Sequence, residues 1–114
     1  MVSPVLRVRR GDIVLVVAAG DYGKPRPAVV VQSDLFNDTH ASMTVCPVTS
    51  ALVDAPLFRV PVKPGRANGL AKQSQVMVDK VQTLRRDRIR ERIGEIAPVQ
   101  MKSVEEALRL WLRL

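Results

Sequence analysis

The chain has 114 residues, of which 46% are hydrophobic and 25% are charged, a balance typical of one compact domain and not of a disordered chain. Its 18 lysines and arginines exceed its 11 acidic residues and give a net charge of +7, which favours an anionic partner such as nucleic acid or an acidic protein. One cysteine and one histidine exclude an internal disulfide and a cysteine-based or histidine-rich metal site, and no apolar run approaches the roughly 20 residues of a membrane span. We therefore expect a single domain over residues 1–114, in the reducing cytoplasm and without membrane contact.

The first part of the chain predicts an antiparallel β-hairpin. Residues 13–19 form a strongly apolar run, and residues 28–32 form a second one that is rich in valine. The connection between them, residues 20–25, contains two glycines and a proline and therefore favours a tight turn.

The second apolar run is preceded by an arginine between two prolines, Pro25, Arg26 and Pro27. Each proline fixes its own φ at about −65° and favours extended backbone at the residue before it, so Arg26 is expected at the mouth of the strand. A guanidinium held in this way is suited to bind an anion. A surface salt bridge at the strand end is the alternative, and on these residues alone it is the commoner outcome.

Shorter elements follow the predicted hairpin. Ser33 or Asp34 would cap a single helical turn. Apolar patterns predict strands over residues 43–48 and 57–62, and Pro61 favours an edge position for the second of these strands.

The remaining part of the chain predicts a strand, a basic segment and a helix. Residues 75–82 are expected to form one continuous strand, and a helical turn around Asp87 precedes a short strand over residues 93–96. Pro98 begins the clearest helix, whose apolar stripe is wide enough to contact the sheet and, in one interpretation, a second subunit. These elements predict an α+β domain with a small, curved antiparallel sheet and a C-terminal helix.

Few side chains are candidates for chemistry. Cys46 lies in an apolar run and is expected to be a buried, unreactive thiol, whereas His40 lies in a polar loop. Thr49 and Ser50 follow the third strand and would lie near Arg26 if the second and third strands are neighbours. An arginine beside a hydroxyl suits a phosphodiester, and an ordinary turn in which the hydroxyl binds its own backbone is the alternative.

Six motifs occur in collinear order over nearly the whole chain: Arg10-Gly11-Asp12-Ile13-Val14, Arg26-Pro27-Ala28-Val29-Val30-Val31, Pro47-Val48-Thr49-Ser50, Asn68-Gly69-Leu70, Val78-Asp79-Lys80-Val81-Gln82-Thr83 and Ala107-Leu108-Arg109-Leu110-Trp111-Leu112. Each motif alone is only modestly specific, but the order and spacing of all six together are strong evidence of a family resemblance. In this arrangement the chain resembles the MazF/PemK family, the endoribonuclease toxins of type II toxin–antitoxin modules.

The resemblance implies a fold, an activity and a set of partners. The implied fold is a small curved sheet of the SH3-like barrel type found in CcdB and PemK, with a C-terminal helix, paired as a homodimer. The implied activity is cleavage of single-stranded RNA, mRNA above all, at short specific sequences without a metal or other cofactor, and an acidic cognate antitoxin would neutralise it.

Arg26 and Thr49 take the positions of the family's catalytic pair. The implied reaction is attack of a ribose 2′-OH on the adjacent phosphate, which leaves a 2′,3′-cyclic phosphate and a 5′-OH. In this reaction Arg26 would stabilise the phosphorane and Thr49 would orient the phosphate. A substrate without the 2′-OH, such as DNA, would not be cleaved.

Five residues are expected to bind the substrate: Tyr22, Lys24, Ser50, Asp79 and Lys80. The chain departs from the family in this region, because many relatives carry glutamine where it has Lys80, and the hairpin loop has Asp21 as its only acid. The target sequence therefore cannot be inferred from relatives. Asp79 is a candidate general base, although such a carboxylate is more commonly paired with arginine or lysine.

Two other functions stay open on the sequence. The CcdB toxins of the same fold poison DNA gyrase through a Trp-Gly-Ile tail, whereas this sequence carries Trp111, Leu112, Arg113 and Leu114 and no glycine there. A basic nucleic-acid-binding module without catalysis is the second alternative.

Overall fold

The structure of this chain is a computed structural model that describes residues 6–18 and 23–114. Within these ranges it contains seven strands and two α-helices. In chain order they are β1 (Asp12–Val16), β2 (Arg26–Val30), α1 (Asp34–Asn37), β3 (Ser42–Thr49), β4 (Arg59–Val62), β5 (Ser74–Met77), β6 (Gln82–Arg85), β7 (Ile89–Glu95) and α2 (Pro98–Leu112).

The strands form one antiparallel sheet in the order β4-β5-β3-β2-β1-β7, and β6 pairs with the first half of β3. This confirms the predicted α+β architecture and the β1–β2 hairpin. Among the described strands, β4 and β7 lie at opposite ends of the sheet order, so the barrel is not closed.

The central strand β3 changes partner along its length. Val48 pairs with Val76 of β5, whereas Val45 pairs with Gln82 of β6. A 3₁₀ turn over Val78–Lys80 separates these two partners. The prediction of one continuous strand over residues 75–82 is therefore wrong, because this turn interrupts the strand although apolar residues continue through it.

Two hydrophobic clusters cover the two faces of the sheet. The helix-side core lies against α2, whose Met101, Val104 and Ala107 are buried in it. Its strand residues are Ile13, Val29, Cys46, Val48, Val60, Val62 and Val76. The opposite core is formed by Val8, Val14, Val16, Ala28, Val30, Met43, Val45 and Ile89. Alternate residues of β1, β2 and β3 point to opposite cores, as the period of a strand requires.

Helix α2 begins at Pro98, as predicted, and the end of its apolar stripe is only partly covered. Leu108 packs against the helix-side core, and the ring of Trp111 lies 5.5 Å from that of Phe58. Leu110 and Leu114 are exposed. The predicted stripe is therefore confirmed as core packing up to Leu108 and is largely solvent-facing beyond it.

The smaller predictions are mostly confirmed. Ser33 caps α1 by accepting a hydrogen bond from the Leu35 N–H, and Pro61 lies in the edge strand β4. A 3₁₀ turn occupies Arg86–Arg88, around the predicted Asp87. Strand β7 begins at Ile89, four positions before the predicted start at residue 93.

The turn after β4 lies directly on β7, and two glycines make this approach possible. A Cβ at Gly69, whose φ is +71°, would lie 2.3 Å from the carbonyl oxygen of Ile93. A Cβ at Gly94 would lie 2.4 Å from the carbonyl carbon of Asn68. The Glu95 N–H donates to the Ala67 carbonyl at 2.9 Å and joins the two segments.

None of the helices in the described part of the chain is long and apolar enough to span a bilayer.

Candidate active site

The candidate catalytic residues lie in one row across the sheet. Val16 pairs with Arg26, Thr49 pairs with Gln75, and Gln75 pairs with Pro61. The last pair between β2 and β3 is Ala28 with Pro47, and the same register continued by two residues brings Arg26 opposite Thr49. We call Val16, Arg26, Thr49, Gln75 and Pro61 the cross-strand row. Because directly opposite residues point to the same face, the row predicts that Arg26 and Thr49 share one surface.

Three members of the cross-strand row, Val16, Arg26 and Thr49, face away from α2, whereas Pro61 in the edge strand β4 lies beside α2. Val16 belongs to the opposite core. Within β3, Cys46 and Val48 enter the helix-side core, so Thr49, the next residue along the strand, points to the opposite face. Arg26 is exposed and Thr49 is half-buried. The condition stated in the sequence analysis, that the second and third strands are neighbours, is met by the β2–β3 pairing.

Thr49 ends β3 in a turn that its own hydroxyl stabilises. The Ala51 N–H donates to Oγ1 of Thr49 at 3.0 Å, which is the ordinary strand-exit turn weighed as an alternative. The two interpretations are compatible, because a hydroxyl that accepts one hydrogen bond still has its own proton to donate. Ser50 follows and is exposed.

Gln75 is a polar residue of the row that the sequence analysis did not single out. Its Oε1 accepts a hydrogen bond from the Val53 N–H at 3.1 Å, and its Nε2 donates to the Val53 carbonyl at 2.7 Å. The only signal in the sequence is a long polar side chain at the start of an apolar strand. Its partner lies 22 positions earlier, so no local pattern indicates the contact.

Asp79 is paired with Arg59 of strand β4. Nε and Nη2 of Arg59 donate to its two carboxylate oxygens at 2.9 and 3.2 Å, and only 11% and 16% of the two side chains are exposed. These hydrogen bonds from Arg59 hold the pKa of Asp79 below its usual value. Such a carboxylate is a poor general base, and the commoner interpretation, a structural ion pair, describes it.

Cys46 is a buried thiol. It is fully buried in the helix-side core, and burial together with the charge of the Asp79 carboxylate raises its pKa to about 12. Asp79 itself lies in the 3₁₀ turn after β5 and is not a member of the cross-strand row. The prediction that Cys46 is a buried thiol is confirmed.

The other predicted substrate-binding residues are distributed around the row. Lys24 and Ser50 are exposed beside Arg26 and Thr49 in the chain, and Lys80 is exposed at the end of the 3₁₀ turn. Tyr22 lies outside the described residues. The binding roles of these four residues and of Asp79 stay predictions.

His40 is exposed, and its Nδ1 accepts a hydrogen bond from the Ser42 N–H at 3.0 Å. Within residues 6–18 and 23–114, no group of three or more histidine, cysteine or acidic side chains could hold a metal ion.

Comparisons with known proteins agree on one protein family. The family profile described as PemK-like, MazF-like toxin of type II toxin–antitoxin system matches residues 9–112. A protein of Mycolicibacterium smegmatis named "Probable endoribonuclease MazF" is 43% identical over 106 residues, which are 92% of this chain and 96% of that protein.

Solved structures share the fold. The crystal structure of MazE-MazF (Form-III) from Deinococcus radiodurans superposes with a TM-score of 0.78 at 26% identity and covers 95% of this chain and 98% of its own. An endoribonuclease in complex with its cognate antitoxin, from a mycobacterial species, has the same TM-score of 0.78 at 22% identity and covers 94% and 96%.

Proposed function

The chain belongs to the PemK-like, MazF-like toxins of type II toxin–antitoxin systems, and we propose on this premise that it is an endoribonuclease that cleaves single-stranded mRNA in the cytoplasm. The single observation that supports the assignment of its site is the β2–β3 register, which brings Arg26 opposite Thr49 when it is continued by two residues beyond Ala28 and Pro47. Neither the gyrase-poisoning alternative nor the non-catalytic one has a comparable observation in its favour.

The proposed reaction is attack of a ribose 2′-oxygen on the phosphorus of the next phosphodiester. The bond between this oxygen and phosphorus forms and the bond from phosphorus to the 5′-oxygen breaks. The 2′-OH gives its proton to solvent water, and the leaving 5′-oxygen takes up a proton from solvent water. The products carry a 2′,3′-cyclic phosphate and a 5′-OH. No metal ion takes part in the reaction as we propose it.

Arg26 and Thr49 have different roles at the scissile phosphate. The guanidinium of Arg26 donates two hydrogen bonds to phosphate oxygens and offsets the charge that builds up on them in the transition state. The Thr49 hydroxyl donates to one of these oxygens and fixes the orientation of the phosphate. Lys24, Ser50 and Lys80 bind the flanking nucleotides.

The proposed protein partners are a cognate antitoxin and a second copy of the chain. Relatives have been solved with antitoxins, and the net charge of +7 suits an acidic antitoxin that competes with RNA for the same basic surface. Exposed Leu110, Trp111, Leu112 and Leu114 at the end of α2 support a homodimer. Analytical ultracentrifugation tests the dimer, and a monomer at micromolar concentration would contradict it.

The test of function is cleavage of a pool of single-stranded RNA by the purified protein in EDTA. We expect cuts that leave 5′-OH ends, and no cuts in DNA of the same sequence. Arg26→Ala should abolish cleavage, whereas Arg66→Ala, which removes an exposed arginine in the turn after β4, should not. Cleavage by Arg26→Ala at the wild-type rate would overturn the assignment of Arg26, and intact RNA with the wild-type protein would overturn the function.

A further inference from the structure

We propose that Gln75 is a positioning residue for Thr49: its side-chain amide holds the segment that follows the threonine and so fixes the hydroxyl relative to the scissile phosphate. This inference rests on the proposed function, since it gives Gln75 a part in that reaction.

Gln75 binds the segment at two points. The Val53 N–H donates to Oε1 of Gln75 at 3.1 Å, and Nε2 of Gln75 donates to the Val53 carbonyl at 2.7 Å. A neighbouring strand would make the same pair of hydrogen bonds to a residue in an antiparallel ladder. The Gln75 side chain therefore satisfies both backbone groups of Val53, as a neighbouring strand would do.

The segment is also tied to Thr49 itself. Thr49 lies directly opposite Gln75 in the β3–β5 ladder, and its Oγ1 accepts the hydrogen bond of the Ala51 N–H at 3.0 Å. Residues 50–53 are thus held at Ala51 by Thr49 and at Val53 by Gln75. Because Ala51 uses one lone pair of the hydroxyl, its position selects the direction in which the hydroxyl proton points.

Packing adds little to the position of this segment. The side chains of Leu52 and Val53 are 53% and 48% exposed, and residues 51–53 belong to no helix or strand. A segment with few buried apolar contacts opens easily unless hydrogen bonds hold it. The two hydrogen bonds between Gln75 and Val53 are therefore the main restraint on the end of the segment at Val53.

The test replaces Gln75 by methionine, which has a similar length and neither the donor nor the acceptor. With an RNA oligonucleotide that the wild-type protein cleaves, we expect kcat to fall about 10-fold to 100-fold, because a hydroxyl that is not held must be ordered in each turnover. KM and the melting temperature should stay close to wild type, since both polar atoms of the amide are used by Val53 and the residue belongs to neither hydrophobic core. Gln73→Met, an exposed glutamine two positions earlier, is the matched control and should cleave at the wild-type rate.

A double-mutant cycle separates positioning from a general structural role. In a Thr49→Val background the hydroxyl is absent, so Gln75→Met should have no further effect on the residual rate. An equal loss in both backgrounds, or an unchanged kcat for Gln75→Met alone, would overturn the inference. RNA left intact by the wild-type protein would instead overturn the proposed function, and the two failures are therefore distinguishable.

Hydrogen exchange tests the contact without any substitution. In the wild-type protein the Val53 amide should exchange more slowly than the amides on either side of it, because it is the one that donates to Gln75. Exchange of Val53 at the rate of its neighbours would overturn the inference, even if Gln75→Met proved too unstable to assay.

Discussion

Ala28 of β2 pairs with Pro47 of β3, and this register, continued by two residues to the ends of both strands, brings Arg26 opposite Thr49. Arg26 begins β2 and Thr49 ends β3, and most of the other residues of both strands are buried, so neither position depends on a loop. This relationship makes the contribution of each side chain separately testable.

Thr49→Val keeps the shape of the side chain and removes the hydroxyl. We expect kcat to fall about 100-fold, as for the loss of one hydrogen bond to developing charge. Thr49→Ser keeps the hydroxyl and should retain most of the activity. Cleavage of a fluorescent RNA oligonucleotide measures both, and equal activities of the two variants would contradict a role for the hydroxyl.

Arg26→Lys keeps the charge and loses the planar fork. We expect a loss of about 10-fold to 100-fold in kcat, smaller than that of Arg26→Ala, because an ammonium group cannot donate two parallel hydrogen bonds to one phosphate. Arg66→Lys is the control for a general effect of the exchange. If Arg26→Lys were as active as wild type, Arg26 would act only as a positive charge.

Asp79→Asn should lower stability by about 2 kcal/mol at pH 7, since it removes the carboxylate charge and one of the two oxygens that accept hydrogen bonds from Arg59. The pKa of Asp79 is lowered in the folded state, so its stabilising effect is present above the ordinary pKa of about 4 and is lost as the pH falls through the lowered value. Urea unfolding of the two proteins should therefore differ at pH 7 and converge in acid.

The exposed Asp54 supplies the control for this experiment. Asp54→Asn should unfold like the wild type at pH 7. A stability difference for Asp79→Asn that did not change with pH would contradict the ion pair as its cause.

Gly69→Ala should be far more destabilising than Gly23→Ala, although both glycines have similar backbone angles, with φ of +71° and +77°. A Cβ at Gly23 meets nothing within 4 Å, whereas one at Gly69 meets the Ile93 carbonyl oxygen at 2.3 Å. We expect about 1 kcal/mol for the strained φ alone and about 3 kcal/mol or more where the contact is added. Thermal unfolding measures both, and equal losses would mean that the turn and β7 are not in contact.

The Cys46 thiol should react with a disulfide reagent at pH 8 only when the protein unfolds. It is fully buried and its pKa is raised to about 12, so little of the reactive thiolate forms and the reagent cannot reach it. Labelling should be complete in guanidinium chloride and negligible in buffer. Rapid labelling of the native protein would contradict the packing of the helix-side core.

The sequence predicted those parts of the fold that local pattern determines. The apolar runs of β1, β2 and β3 and the stripe of α2 were identified, because their burial repeats with the period of a strand or a helix. The break at Val78–Lys80 was missed, since Val78 and Val81 continue the apolar pattern and the arginine that binds Asp79 lies 20 positions away. Periodicity carries no information about such a partner.

For the site, too, local pattern indicated only part of the arrangement. The two prolines around Arg26 indicated a rigid strand end, but only the resemblance to a toxin family selected Thr49 as its partner. Gln75 was missed altogether, because its contact with Val53 depends on the register of β3 with β5. Register is a property of paired strands and cannot be read from either strand alone.

Strand β1 lies between β2 and β7, so its two neighbours are synthesised far apart in time. While the ribosome has not passed Glu95, β1 has one unpaired edge, and before α2 is made the helix-side core has no cover. Such a partial chain exposes strand edges and apolar surface and is a substrate for proteases and chaperones. A toxin built in this order gains its folded form only after the message that encodes it has been read almost to the end of α2.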